Sequence, residues 1–344
     1  METILFLAYT QEDGLLPSAA LEALSAALSL KSVLGSAELV VGLVGGAVQS
    51  AADQIAGCGA SRVLGVTGPE FAVSRYSTDA VAAAAICKVA GATLVIAPGT
   101  SRWQRVLPGV AQRLGGVADT HLTQVEGADG SLKVARWYYR QRMEGVIQRQ
   151  QRPWFLLVDP GSQPAYAKPG ATAVVEPVAV ELSPAQMRTD FKGCRGAGQD
   201  VQTIRPEAKL LFVAGAGWTK KQADGQPHVK DAEGLILNFL KASRASLGSS
   251  KSLVDLGGEG EAVLSFLTHL NQIGQTGSTP RHAKGLSTCC HGEEPHAVGW
   301  RFINERRAIN LDANCGWARG KADVLYVADA FAVVSKLNAL LTAG

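Results

Sequence analysis

Hydrophobic positions in the first part of the chain alternate between two periods. Thr3–Ala8 is an uninterrupted apolar run, as in a strand buried on both faces. Pro17 stands just ahead of Ser18–Lys31, where Leu21, Leu24 and Leu28 fall on one helical stripe. The alternation continues with strands expected at Glu38–Val44, Arg62–Val66 and Leu94–Ala97. Between and after them, Ser50–Gly57, Thr78–Ala90 and Trp103–Leu114 carry helical signals. This β-α-β-α order predicts a mostly parallel sheet covered on both faces.

Residues 119–183 change rhythm. His121–Val125, Leu132–Tyr139, Gly145–Gln148 and Trp154–Val158 are short β-rich segments with turn residues between them, read here as an extension closing a first domain, 1–183. Over 184–206 the periodicity fades, and Pro184, Gly193, Gly196, Gly198 and Pro206 mark a linker. The α/β pattern restarts in 207–344. Strands are expected at Lys209–Ala214, Arg307–Leu311 and Ala322–Val327, and helices at Asp231–Lys241, Glu261–Gln272 and Ala330–Leu341. The fold class is therefore α/β with two domains. Each is built on a mostly parallel sheet flanked by helices, and the second is doubly wound.

Composition narrows the function. Of 344 residues 47 % are hydrophobic and 18 % charged, enough to build two cores. Lys and Arg number 33 against 30 acids, a net charge of +3, too mild to point to nucleic acid or a membrane surface. No uncharged apolar run reaches the length of a membrane-spanning helix, so no direct membrane insertion is expected. The acidic start Met1-Glu2-Thr3 lacks the basic character of a signal peptide, and a cytoplasmic protein is expected. The six cysteines form no C-x-x-C pair, which makes reduced thiols the default.

Chemistry gathers in the second domain. Lys209–Trp218 runs a strand into Gly215-Ala-Gly217, a turn that lets backbone N–H groups approach a phosphate, or a plain strand–helix turn. Ser243 and Arg244 follow a helix and could meet an anion or a planar ring, or simply end the helix. Gln275, Thr276 and Gly277 sit in a tight glycine-bracketed loop suited to a phosphate or a ring edge, or are an ordinary loop. Gly285–His296 holds Ser287, Cys289, Cys290, His291 and His296. A metal set with Cys315 and a Cys289–His291 nucleophile pair are both open, and a loop folded over a ligand fits better. Arg136–Arg142 interleaves cations with aromatics as single-strand binders do, but its alternation describes an edge strand with one wet face. There is no G-x-S-x-G, no H-E-x-x-H and no complete P-loop.

In order along the chain stand Val213-Ala-Gly-Ala-Gly217, Ala242-Ser-Arg-Ala245, Val254-Asp255, Ile273-Gly-Gln-Thr-Gly277, Gly285-Leu-Ser287, Pro295-His296, Ala308-Ile-Asn310, Ala322-Asp323 and Val327–Val334. This ordered set resembles the electron transfer flavoprotein alpha subunit family. Val95–Thr100 and Leu107–Ala111 extend the likeness into the first domain. The resemblance implies one FAD in the second domain, closed over by a separate beta subunit. It implies a carrier that takes electrons from a flavin-linked dehydrogenase and delivers them to an acceptor such as a quinone oxidoreductase, with no turnover of its own.

By position, the resemblance puts Ser243 and Arg244 at the flavin end, with Arg244 as a fixed cation by the ring. It puts Gly215 at the phosphate turn, Gln275, Thr276 and Gly277 at the ring, and Ser287 at phosphate or ribitol. His291 or His296 would face the flavin, and Asn310 and Asp323 would hold the adenosine end. The chain departs from the family pattern in three places: the stretch Ser287–His296 is longer by two residues, the glycine turn lacks one arginine, and the Val254–Ile273 segment is lengthened. A nucleotide-binding enzyme using Cys289 and His291, and a docking subunit without FAD, are the alternatives.

Overall fold

The computed structural model describes residues 2–128, 131–139, 143–168, 170–193, 204–205, 208–255, 262–273, 282–288, 300 and 303–342. The chain divides into two compact units, Met1–Cys194 and Arg195–Gly344, with the break inside the stretch read as a linker.

The first unit carries a nine-stranded sheet in the order β7-β6-β5-β8-β4-β1-β2-β3-β9. Its centre is β1 (Thr3–Tyr9), β2 (Glu38–Gly45), β3 (Arg62–Thr67) and β4 (Leu94–Pro98), all parallel. Helices Ser18–Leu34, Gln49–Ile55 and Tyr76–Ala90 fall in the connections between them, and Ser101–Arg113 follows β4. Side chains alternate across the sheet: Ile4 and Phe6 enter one core, Leu5 and Leu7 the other. Helix Tyr76–Ala90 packs so closely that a Cβ on Gly42 would stand 2.5 Å from Ile86 Cγ2.

Beyond β4 the extension is smaller than expected. β5 (Val117–Ala128), β6 (Ser131–Tyr138) and β7 (Met143–Ile147) pair antiparallel. β8 (Trp154–Val158) does not belong with them. It lies between β4 and β5, parallel to both, and all five of its residues are buried. Its sequence, Trp-Phe-Leu-Leu-Val, is the continuous apolar run of an inner parallel strand. The two-residue β9 (Glu176–Pro177) closes the far edge against β3.

Asp119 anchors the junction of parallel and antiparallel parts. Its carboxylate accepts from Arg136 at 3.0 Å, from Arg149 at 2.5 and 3.0 Å, and from the Trp154 indole at 2.9 Å. Burial pushes its pKa up, but the Arg149 and Trp154 hydrogen bonds and the two guanidinium charges outweigh that and hold it below the usual value.

The second unit holds five parallel strands in the order β11-β10-β12-β13-β14. They are β10 (Leu210–Ala214), β11 (Ser246–Ser249), β12 (Lys284–Thr288), β13 (Glu305–Asn310) and β14 (Val324–Val327). Helices Val229–Ser243 and Ala330–Thr342 pack on the face of Phe212 and Ala214, while Trp300, Ile303 and Ala318 pack on the face of Leu211 and Val213.

Two of these strands, β11 and β12, escape sequence reading. Ser-Leu-Gly-Ser and Lys-Gly-Leu-Ser-Thr hold few strand-forming residues; pairing makes them strands, β11 with β10 and β12 with β10 and β13. The expected helix Glu261–Gln272 is overturned: its described part contains turns and a single 3-10 turn, His269–Asn271. Thr268 caps that turn by accepting from Leu270 N at 3.2 Å, and Ile273 N then bonds Ser249 O at 3.2 Å. The segment is drawn out to line the β11 edge instead of coiling.

Candidate functional site

A parallel sheet whose strand order reverses leaves a crevice beyond the carboxyl ends of the two strands at the switch, and ligands bind there. Each unit has one such point. In the first unit it lies between β1 and β4, where Arg102 meets the Tyr9 ring and the Thr100 hydroxyl, just past β4, is shut from solvent without a hydrogen-bond partner. Thr10 Oγ1 donates to Ala47 O at 2.9 Å. Arg102, buried, lies over the Tyr9 ring at 4.6 Å, pairs with the buried Asp79 at 2.6 Å and donates to Phe71 O at 3.0 Å.

In the second unit the reversal lies between β10 and β12. β10 runs into Gly215, whose N–H donates to Thr288 O at 2.9 Å. The glycine turn continues as a short 3-10 segment, Ala216–Thr219. Trp218 anchors it: the indole donates to Thr288 Oγ1 at 2.8 Å and packs on Phe331 at 4.6 Å between ring centres. Thr288 in turn donates to Val213 O at 3.0 Å. The turn is thus held by β12 and the core, leaving small residues at the sheet edge.

The end of β11 contributes residues the sequence reading passed over. Ser249 is fully buried, and its hydroxyl has no hydrogen-bond partner. Ser250, also buried, is tied to β10 by its N–H to Ala214 O at 2.9 Å. Lys251 follows, half-exposed, with Asp255 at 3.6 Å. A buried hydroxyl without a partner is uncommon, because leaving it unsatisfied costs about 1–3 kcal/mol. At the carboxyl edge of a doubly wound sheet such a hydroxyl is able to donate to a ligand.

The expected site residues separate between two edges. Gly215 and Asn310 lie at the carboxyl edge. Asn310 ends β13, is buried, and its Oδ1 accepts from Asp312 N at 3.0 Å. Ser287 stands one residue inside β12, paired with Val213 and Ala308 and fully buried.

Ser243, Arg244 and Asp323 lie at the opposite, amino edge, and the structure does not bring them to the others. Ser243 ends its helix and donates to Phe239 O at 2.6 Å, and Arg244 caps it in the left-handed region at φ 54°. Arg205 donates to Arg244 O at 2.8 Å and Ala245 O at 2.9 Å, closing the turn into β11. Asp323 precedes β14. It accepts from Arg306 N at 2.7 Å and from the Arg306 guanidinium at 2.8 Å, and that side-chain bond holds its pKa below the usual value. A helix runs back across the sheet, so residues at its end begin the next strand and sit a full strand length from the ligand edge.

Gln275, Thr276, Gly277, Cys289, Cys290, His291 and His296 lie outside the described residues. The chain enters both stretches from the carboxyl edge, from Ile273 beside Ser249 and from Thr288. Among the described residues no group of three or more His, Cys, Asp or Glu is arranged to hold a metal ion. No helix among them is long and apolar enough to cross a membrane.

The chain from residue 4 to residue 184 matches the family model of the electron transfer flavoprotein domain. No curated protein matches the chain.

Proposed function

Since the chain belongs to the electron transfer flavoprotein family, we propose that it is an alpha-type subunit holding one FAD in its second unit and working with a separate beta-type subunit. The observation that carries this reading is the second parallel sheet, which follows the matched domain and whose reversal point ends in a glycine turn beside the unpartnered Ser249 hydroxyl.

The residues present fit FAD. Gly215–Gly217 would let backbone approach a pyrophosphate. Ser249 would donate the hydrogen bond it now lacks. Lys251 would supply a cation near a ring that gains negative charge on reduction. Asn310 would face the adenosine end. The loops of Gln275, Thr276 and Gly277, and of His291 and His296, would close over the ring. Ser243, Arg244 and Asp323 hold the amino edge and take no part, and Ser287 supports the strand beneath the crevice. A bound flavin supplies electron uptake and release in single steps. The protein's part is to fix the ring, balance its charge and limit water.

This is a carrier's equipment. Electrons would come from a flavin-linked dehydrogenase and leave to an acceptor such as a quinone oxidoreductase.

The test is a visible absorption spectrum of the chain co-purified with its beta-type subunit, titrated with dithionite. Flavin bands that bleach reversibly, with one FAD per heterodimer, support the reading. A stable colourless heterodimer points to a docking subunit. A colourless chain with thiol-dependent turnover points to an enzyme at Cys289.

A further inference from the structure

The glycine turn of the second unit does not lead straight into its helix. Residues 220–228 intervene, and they form a small hairpin at the carboxyl edge of the sheet. Lys221 and Pro227 pair antiparallel across it. Gln222 N donates to Gln226 O at 3.0 Å, and Gly225 N donates to Gln222 O at 2.9 Å. Gly225 adopts φ 79°, the left-handed residue that lets such a tip turn back. The hairpin reaches the glycine turn through Gln222, whose Nε2 donates to Gly217 O at 3.0 Å and to Lys220 O at 2.7 Å. Whatever steadies the hairpin therefore bears on the turn.

His228, half-buried, ends the hairpin and precedes helix Val229–Ser243. Its Nε2 is 2.7 Å from one Asp224 oxygen, and its Nδ1 is 3.3 Å from an Asp231 oxygen. Asp224 belongs to the hairpin tip, where its other oxygen accepts from Gln226 N at 3.0 Å. Asp231 lies in the first turn of the helix. These two carboxylates, one from each element, are the charged groups that face the ring. An ionised carboxylate accepts and cannot donate, so each contact needs a hydrogen on the ring nitrogen that faces it. The imidazolium carries both hydrogens. The neutral ring carries one, and the other contact becomes two acceptors facing each other. The Asp224 hydrogen bond and charge, joined by Asp231, raise the His228 pKa above its ordinary value.

We propose that His228 is a proton-operated latch: its imidazolium fastens the hairpin 220–228 to helix Val229–Ser243 and so steadies the glycine turn, and loss of the proton releases it. Because the folded pKa is raised, the latch is fully present below the ordinary histidine value of 6.5 and is lost as pH rises through the folded value. Where the second unit holds FAD, the same proton would firm the turn that meets the pyrophosphate. That consequence rests on the function proposed above, and the latch does not.

The experiment is hydrogen exchange read by mass spectrometry on the full chain, near pH 6 and near pH 8.5, corrected for the intrinsic rate at each pH. Protection of the 222–226 amides is expected to fall roughly threefold at the higher pH, the worth of an exposed ion pair. His228→Gln and Asp231→Asn are expected to abolish that fall while leaving the melting temperature of the chain unchanged. A ring-proton NMR titration of the full chain, with His228 assigned by its loss in His228→Gln, is expected to show the fall tracking His228. Equal protection at both pH values overturns the latch, and so does a fall that persists in His228→Gln. FAD titration of the deflavinated heterodimer at the same two pH values reads the consequence. Affinity is expected to weaken roughly threefold at the higher pH in the native chain and to stay constant in His228→Gln. A heterodimer that binds no FAD at either pH overturns the function proposed above, while exchange in the chain alone still decides the latch.

Discussion

Ser249 and Arg244 illustrate how little a residue type says without its address. Both were chemically eligible for a flavin site, but only Ser249 stands at the carboxyl edge of the sheet with an unsatisfied hydroxyl. Ser249→Ala should leave the stability of the FAD-free chain within about 1 kcal/mol, since no existing bond is lost. The same change should weaken FAD binding roughly tenfold, the worth of about one hydrogen bond. Fluorescence titration of the deflavinated heterodimer reads this. Arg244→Ala should leave FAD affinity unchanged, because the residue ends a helix at the far edge. Asp119 provides the pH signature at this scale. Its folded pKa is depressed, so its contribution is complete above the ordinary carboxylate pKa near 4 and is lost as pH falls through the folded value. Asp119→Asn should destabilise the first unit by roughly 2–4 kcal/mol near neutral pH, discounted because Arg149 is partly exposed. It should also flatten the acid limb of the stability profile, measured by urea melts from pH 7 downward.

At the scale of elements, legibility followed burial on both faces. β1, β2, β3 and β4 were visible as apolar runs because an inner parallel strand has no wet side to encode. Helix Ser18–Leu34 showed as the stripe of Leu21, Leu24 and Leu28 for the converse reason. β11 and β12 were illegible, because serine, glycine and lysine become strand residues only when flanking strands take up their backbone groups. The segment before Ile273 was misread as a helix because its apolar positions serve the β11 edge and not a helical face. Gly42 marks where two elements meet closest. Gly42→Ala should cost roughly 1–3 kcal/mol as helix Tyr76–Ala90 is pushed from the sheet at Ile86. Ile86→Ala in the same background should recover part of that loss, and a double-mutant cycle by chemical denaturation checks it.

At the scale of the whole molecule, two units with separate cores invite separate unfolding. A ligand that binds one of them stabilises that one, by about 2.7 kcal/mol at a hundredfold excess over Kd. Removing FAD from the heterodimer should therefore lower the calorimetric transition of the second unit and leave that of the first in place. The sequence by itself determined the fold class and the ordered C-terminal motifs, and it pointed to the family in which the matched domain now places the chain. Apolar periodicity and glycine turns are local properties, and local order along a chain survives in its letters. Only the tertiary structure decided which motif residues meet. Sheet direction sends the ends of helices and the ends of strands to opposite edges, so Ser243, Arg244 and Asp323 were carried away from Gly215 and Asn310. The same geometry brought Ser249 and Lys251 to the carboxyl edge, because strand direction is fixed by hydrogen bonding between segments far apart in sequence.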